Sequence, residues 1–116
     1  MEINNHYLFP SAIFADRSPY RITTVLGSCV AVCLYDPVKK TGGMNHYMLP
    51  LWNGQGLATP KFGNIALEKL TERMTILGSI QTNLKAKVFG GADVLNHHNP
   101  VNSIGSRNIE VAAELW

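Results

Sequence analysis

Long apolar runs, a charge excess and a disulfide-sized set of cysteines are all missing from this 116-residue chain. No stretch of about 18 apolar residues occurs, which excludes a membrane-spanning helix. Ten basic residues against eight acidic leave a net charge of +2, too little for a nucleic-acid footprint built on charge. The first residues, Met-Glu-Ile-Asn-Asn-His, lack the basic-then-apolar layout of a secretory signal, so the expected compartment is the cytosol. No repeat, low-complexity tract or charge run divides the sequence, and one domain over residues 1–116 is expected. What is plentiful is apolar. With 46% hydrophobic and 16% charged residues, the chain is no candidate for intrinsic disorder.

The two cysteines, Cys29 and Cys33, lie in Cys29-Val30-Ala31-Val32-Cys33-Leu34-Tyr35, apolar on both faces and read as a buried strand. On a strand their Cα atoms stand about 13 Å apart, beyond the ~7 Å that a bridge allows. Free thiols are expected, as a reducing cytosol would keep them.

Several further elements are legible. Tyr7-Leu8-Phe9-Pro10 is apolar and is expected to dock on the body of the domain. Ser18-Pro19 marks a turn, and Arg21–Leu26 reads as β-prone. Asp36-Pro37 stops the cysteine strand, Lys39–Gly43 makes an exposed turn, and Met44–Leu49 forms a second strand closed by Pro50. A Gly-rich loop occupies Leu51–Pro60. Leu67, Leu70, Met74 and Leu77 make one apolar stripe, predicting a helix over 63–77 with Gly78 as its cap. Leu84–Phe89 alternates apolar with charged, the pattern of a half-buried strand. A polar loop holds His97-His98-Asn99-Pro100. A second helix is predicted from Arg107 or Asn108 and is still running at Trp116, so further sequence is expected beyond it.

Cys29 is the outstanding candidate for chemistry. Buried structural thiols are the commonest kind, but Gly27-Ser28-Cys29 sets this one at a turn after a glycine. Backbone N–H groups of Ser28 and Cys29 are the candidates to face a developing oxyanion there. Cys33, mid-strand, is expected in the core. His46 is the natural partner, since pairing of its strand with the cysteine strand would bring the two face to face. A thiol of pKa about 8.5 is mostly protonated at neutral pH and needs such a base. A third residue must orient the imidazole, and Thr23, Thr24 and Asn45 are all open candidates.

Rival chemistries fare worse. Zinc has Cys29, Cys33, His46, His97 and His98 to draw on, but strand spacing separates the thiols and no CxxC or HxxxH occurs. No metal site and no cofactor are expected. Gly90-Gly91-Ala92 lacks the Lys-Ser/Thr pair of a phosphate loop and reads as a tight turn. Trp52 near Gly54 and Gly56, and the pair His97-His98, are best explained by packing and solvation.

Five segments, in order and spread over almost the whole chain, resemble the chemoreceptor glutamine deamidase family, CheD. They are Tyr7–Pro10, Thr23–Cys33, Gly42–Pro50, Lys87–Ala92 and Ile104–Asn108. Leu26-Gly27-Ser28-Cys29 together with Asn45-His46-Tyr47-Met48-Leu49-Pro50 is the specific combination. The resemblance implies Cys29 as catalytic cysteine, His46 as its histidine and, six residues before the cysteine, Thr23 as the orienting threonine. It implies an α/β/β/α sandwich of mixed β-sheets flanked by helices, similar to cytotoxic necrotizing factor deamidases. By the same resemblance the family's C-terminal strands are expected to be lacking from these 116 residues, with consequences for stability and activity.

By the same resemblance the expected activity is conversion of Gln to Glu on methyl-accepting chemotaxis receptors, with release of ammonia. Expected partners are those receptors, a CheC-type phosphatase and, through it, a phosphorylated response regulator. No nucleic acid is expected, and contact with a membrane would come only through the receptor. The alternatives are a non-catalytic adaptor binding receptor or CheC, and a thiol-based redox or zinc-binding protein.

Overall fold

A computed structural model describes residues 3–93 and 103–116 of the chain. The strands are β1 (Asn4–Tyr7), β2 (Ile13–Asp16), β3 (Tyr20–Thr23), β4 (Val30–Asp36), β5 (Thr41–Asn45) and β6 (Lys85–Gly90), and the helices are α1 (Gly63–Ile76) and α2 (Ile104–Leu115). Four strands make an antiparallel sheet in the order β2-β5-β4-β6, and β1 pairs in parallel with β3. The α/β class and the mixed sheets are as the sequence implied. Both described helices pack on one face of the four-stranded sheet, where Val30, Val32, Leu34 and Tyr47 meet Ala66, Leu67, Leu70, Met74, Val111 and Ala112. The described residues therefore supply three layers: helices, sheet, and the β1–β3 pair on the sheet's far side. The His97–Pro100 loop lies outside the described residues.

β4 reads as expected, because alternate residues face helices and the β1–β3 pair. Cys33 faces the latter and is half-buried, a correction to its expected place in the core. β5 begins earlier than predicted. The turn is confined to Pro37–Lys40, since the buried Asp36 carboxylate accepts from the N–H of Val38 (2.9 Å) and Lys39 (3.2 Å). Gly42 and Gly43, expected in that turn, are strand residues. A Cβ on Gly43 would stand 2.8 Å from Ala15 Cβ and 3.0 Å from Leu70 Cδ1, so the glycine lets α1 press on the sheet.

β1 and β2 have little sequence signal, because Asn4, Asn5 and Asp16 are poor strand formers. α1 matches its predicted stripe, and Gly78 beyond its end has φ +104°. α2 starts at Ile104, about a turn before the predicted Arg107 or Asn108. Ser103 caps it by accepting from Ser106 N–H (3.1 Å), and Gly105 in the first turn disguises the start. Gly105 is there because a Cβ would overlap the Gly91 and Ala92 carbonyl oxygens.

Candidate active site

The thiol of Cys29 rides on a turn whose backbone is tied at three successive carbonyls. Gly27 C=O accepts from Ala92 N–H (3.0 Å) and Cys29 C=O from Gly91 N–H (2.9 Å). Between them, Ser28 C=O accepts from Asn108 Nδ2 (2.9 Å). Gly90, at φ +99°, has no room for a Cβ, which would overlap the Cys29 carbonyl oxygen. The Gly90-Gly91-Ala92 turn thus buttresses the cysteine, a role that its sequence did not announce.

His46 reaches the same region through β5. Val30 and Tyr47 exchange both backbone hydrogen bonds (3.0 and 2.9 Å), and Cys33 pairs with Met44, one continuous antiparallel register. Val30 and Tyr47 point to the helices, so their neighbours Cys29 and His46 point together to the other side. The register makes them diagonal neighbours, a relation that spans roughly 7–8 Å between backbones and less between side chains. The strand pairing expected from the sequence is what the structure contains. Among the described residues no hydrogen bond joins the thiol to the imidazole, and His46 Nε2 is buried without a partner.

The threonine hydrogen-bonded to His46 is not the one the resemblance implied. Thr24 Oγ1 lies 2.7 Å from His46 Nδ1. Thr23 is exposed, and its carbonyl accepts from Leu8 N–H (2.8 Å). The cause is strand alternation: Tyr20 and Ile22 face inward, Arg21 and Thr23 outward, so the next inward residue is Thr24. Asn45, the third candidate, spends its side-chain oxygen on Val32 N–H (2.9 Å) and faces the helices.

The hydrogen bonds also fix the imidazole's tautomer. Thr24 has one hydroxyl proton, and it is given to Leu8 C=O (2.7 Å). Its oxygen must then accept from His46, so Nδ1 carries the proton and Nε2 the lone pair. Burial holds the His46 pKa below the ordinary imidazole value, so the ring is neutral at pH 7. Burial also pushes the Cys29 thiol up, with its own backbone N–H acting weakly against that. The resting pair is a neutral thiol and a neutral base. Such a pair can transfer a proton as the sulfur attacks, the arrangement of general-base rather than preformed-thiolate catalysis.

Phe9 and Val25, next in sequence to Leu8 and Thr24, are 67% and 72% exposed. The surroundings of the pair are thus apolar and open. The concavity of about 750 Å³ between Asn64, Leu67, Thr71 and Trp116 lies on the helical side and holds no nucleophile.

A family described as CheD chemotactic sensory transduction matches residues 48–116. The chain is 56% identical over 110 residues to the probable chemoreceptor glutamine deamidase CheD of Trichlorobacter lovleyi, covering 95% of this chain and 68% of that one. It is 50% identical over 117 residues to the protein of that name from Sulfurimonas denitrificans, covering 99% and 74%. A third relative, probable chemoreceptor glutamine deamidase CheD 1 of Anaeromyxobacter dehalogenans, is 42% identical over 109 residues, covering 94% and 63%. These pairwise matches extend across the segment holding Cys29 and His46, which the family match does not reach.

Proposed function

Because the chain belongs to the CheD family, we propose that it hydrolyses glutamine side-chain amides of chemoreceptors, converting Gln to Glu and releasing ammonia. The observation that carries this reading is the Thr24–His46 hydrogen bond, which leaves Nε2 as a base on the same side of the sheet as Cys29. The names of the relatives supply the substrate.

Cys29 sulfur attacks the carboxamide carbon while its proton passes to His46 Nε2. The C=O electron pair moves to oxygen, and the N–H groups of Ser28 and Cys29 receive the oxyanion. Collapse breaks the C–N bond, and His46 gives its proton to the departing nitrogen, which leaves as ammonia. Water then attacks the thioester, losing a proton to His46. The C–S bond breaks, glutamate departs and the thiol regains its proton. The sum is Gln plus water to Glu plus ammonia. Thr24 holds the ring throughout, accepting from Nδ1–H; lacking charge, it stabilises the imidazolium less than a carboxylate would.

Exposed Phe9 and Val25 favour a protein surface over a small molecule as the substrate, because a small substrate calls for enclosure. A cytosolic location and a CheC-type phosphatase as regulator complete the proposal. Among the described residues no helix is long and apolar enough to cross a membrane.

The test is mass spectrometry of purified receptor after incubation with the chain, with ammonia measured in parallel. Gln-to-Glu conversion at defined positions is expected. One observation favours a second reading, an adaptor that binds receptor or CheC without catalysis: among the described residues no hydrogen bond joins the Cys29 thiol to His46. Receptor that binds but is never deamidated would establish the adaptor.

A further inference from the structure

We propose that Asn108, a residue of α2 whose side chain donates to the backbone of Ser28 and Met48, is the positioning residue of the oxyanion hole. The inference rests on the deamidase reading and goes beyond it by assigning a role outside the catalytic strands.

Past the Val30–Tyr47 pair the two strands part company. Met48 N–H turns away to Lys61 C=O (2.9 Å). The Asn108 amide fills the gap between them. Its Nδ2 donates both protons, one to Ser28 C=O (2.9 Å) and one to Met48 C=O (3.0 Å). Two carbonyl acceptors decide which end of the amide is nitrogen, since the reverse orientation would set oxygen against oxygen. The side chain is fully buried, and its Oδ1 has no partner among the described residues. A buried amide with an unsatisfied oxygen is a cost that an apolar side chain would not carry.

What the residue achieves follows from peptide geometry. Every described peptide bond is trans, so each N–H points opposite to the carbonyl of the same plane. Asn108 draws Ser28 C=O inward, and so turns Cys29 N–H outward to the thiol side. Ala92 fixes the preceding plane by holding Gly27 C=O. A second observation agrees. Cys29 and Gly91 face each other where an antiparallel pair would exchange two bonds, yet only Gly91 N–H to Cys29 C=O is made. Among the described residues Cys29 N–H makes no backbone hydrogen bond. Asn108 thereby holds one oxyanion donor in aim and, through Met48, ties the histidine segment to the same point.

The experiment compares two reactions of one thiol in the full chain. Acylation of Cys29 by p-nitrophenyl acetate passes through a tetrahedral oxyanion; alkylation by iodoacetamide does not. Asn108→Ala should slow acylation, and kcat for receptor deamidation with KM unchanged, by about a hundredfold, the lower end of what loss of an oxyanion donor costs. Iodoacetamide alkylation should be unchanged. Tyr47→Phe is the control for mere structure: it deletes the Tyr47 hydroxyl bond to Asn108 C=O (2.5 Å), another tie to α2. It should lower Tm and leave the ratio of the two reactions alone. Parallel loss of both reactions in Asn108→Ala, or a wild type acylated no faster than Cys29→Ala, would overturn the proposal. Should Asn108→Ala not fold, amide exchange in the wild type decides: Ser28 and Cys29 N–H must exchange much faster than Val30 N–H, and slow exchange there overturns it. A wild type that acylates readily but never deamidates receptor would instead count against the substrate reading alone.

Discussion

Cys33 lies within β4 and Cys29 just before it, four residues apart, both half-buried and both free. Burial pushes both thiols above the usual cysteine range; for Cys33 the nearby Lys87 ammonium acts in the opposite direction. Protonation does not tell the two apart, because burial is the leading cause of the upward shift in both. What separates the two is everything around the sulfur. Cys33 pairs squarely with Met44 and Lys87, its backbone inside the ladder. Cys29 precedes the ladder, where among the described residues its N–H makes no backbone hydrogen bond, and a neutral imidazole lies diagonally across from it. The proposed nucleophile is set apart by its neighbours, and not by the resting pKa of the thiol.

The severest way to break that comparison is to exchange the fates of the two thiols. Cys29→Ala and Cys29→Ser should abolish deamidation, since a serine hydroxyl is far less acidic than a thiol. His46→Ala should cost about 10²–10⁴-fold in kcat, the worth of a general base. Cys33→Ala should leave the rate at its wild-type value. Ammonia release by the folded variants measures all four. A Cys33→Ala enzyme as dead as Cys29→Ala would end the distinction.

A second comparison uses pH. If the resting pair is neutral, activity needs only that His46 be unprotonated, so its acid limb should fall below the ordinary imidazole value of about 6.5. Alkylation by iodoacetamide reads thiolate, and should keep rising past about 8.5 for both thiols. Between those limits the deamidation rate is flat while alkylation climbs about tenfold per pH unit. A preformed thiolate–imidazolium pair predicts the reverse, with Cys29 alkylation reaching its plateau together with the acid limb of activity.

Thr24 and Thr23 come next. Thr24→Ala removes a hydrogen bond to the imidazole, worth about 0.5–1.5 kcal/mol, and should slow deamidation by roughly two- to tenfold. Thr24→Ser, which keeps the hydroxyl, should restore most of the rate. Thr23→Ala, an exposed change, should do almost nothing. Steady-state kcat for the three variants tests this directly. The opposite ranking would return the orienting role to Thr23.

That pair also marks how far the sequence carries. The cysteine strand, α1 and the pairing of β4 with β5 are legible, because apolar periodicity and turn residues dominate there. The proposed nucleophile and base follow from a Gly-Ser-Cys turn and a histidine in the neighbouring strand. Counting back from the cysteine picks Thr23, whereas counting inward positions from Tyr20 and Ile22 would have picked Thr24. Asn108 could not be read at all: nothing local distinguishes an asparagine that caps a helix, faces water or clamps two distant strands. The early β-strands fail for a related reason, since Asn4-Asn5-His6 earns its place by pairing with β3 and by His6 stacking on Phe14 at 3.9 Å.

The smallest effect separates the thiols by stability instead of rate. A thiol whose folded pKa is raised keeps its proton in the native state after the unfolded chain has begun to lose it, near pH 8.5. The unfolded state then binds fewer protons, so stability is full below that pH and declines as pH rises through the folded value. Both cysteines should contribute, because burial raises both. Urea unfolding followed between pH 7 and 10 should therefore show an alkaline loss that shrinks in Cys29→Ala and again in Cys33→Ala. His46, shifted the other way, adds a separate loss as pH falls below about 6.5, where the unfolded imidazole takes up a proton that the buried ring resists. Cys33→Ala should thus flatten the alkaline limb while activity stays whole, and His46→Ala should flatten the acid limb while activity is lost. If Cys33→Ala leaves the alkaline limb untouched, the two thiols are not alike in burial, and the contrast between them rests on solvent exposure after all.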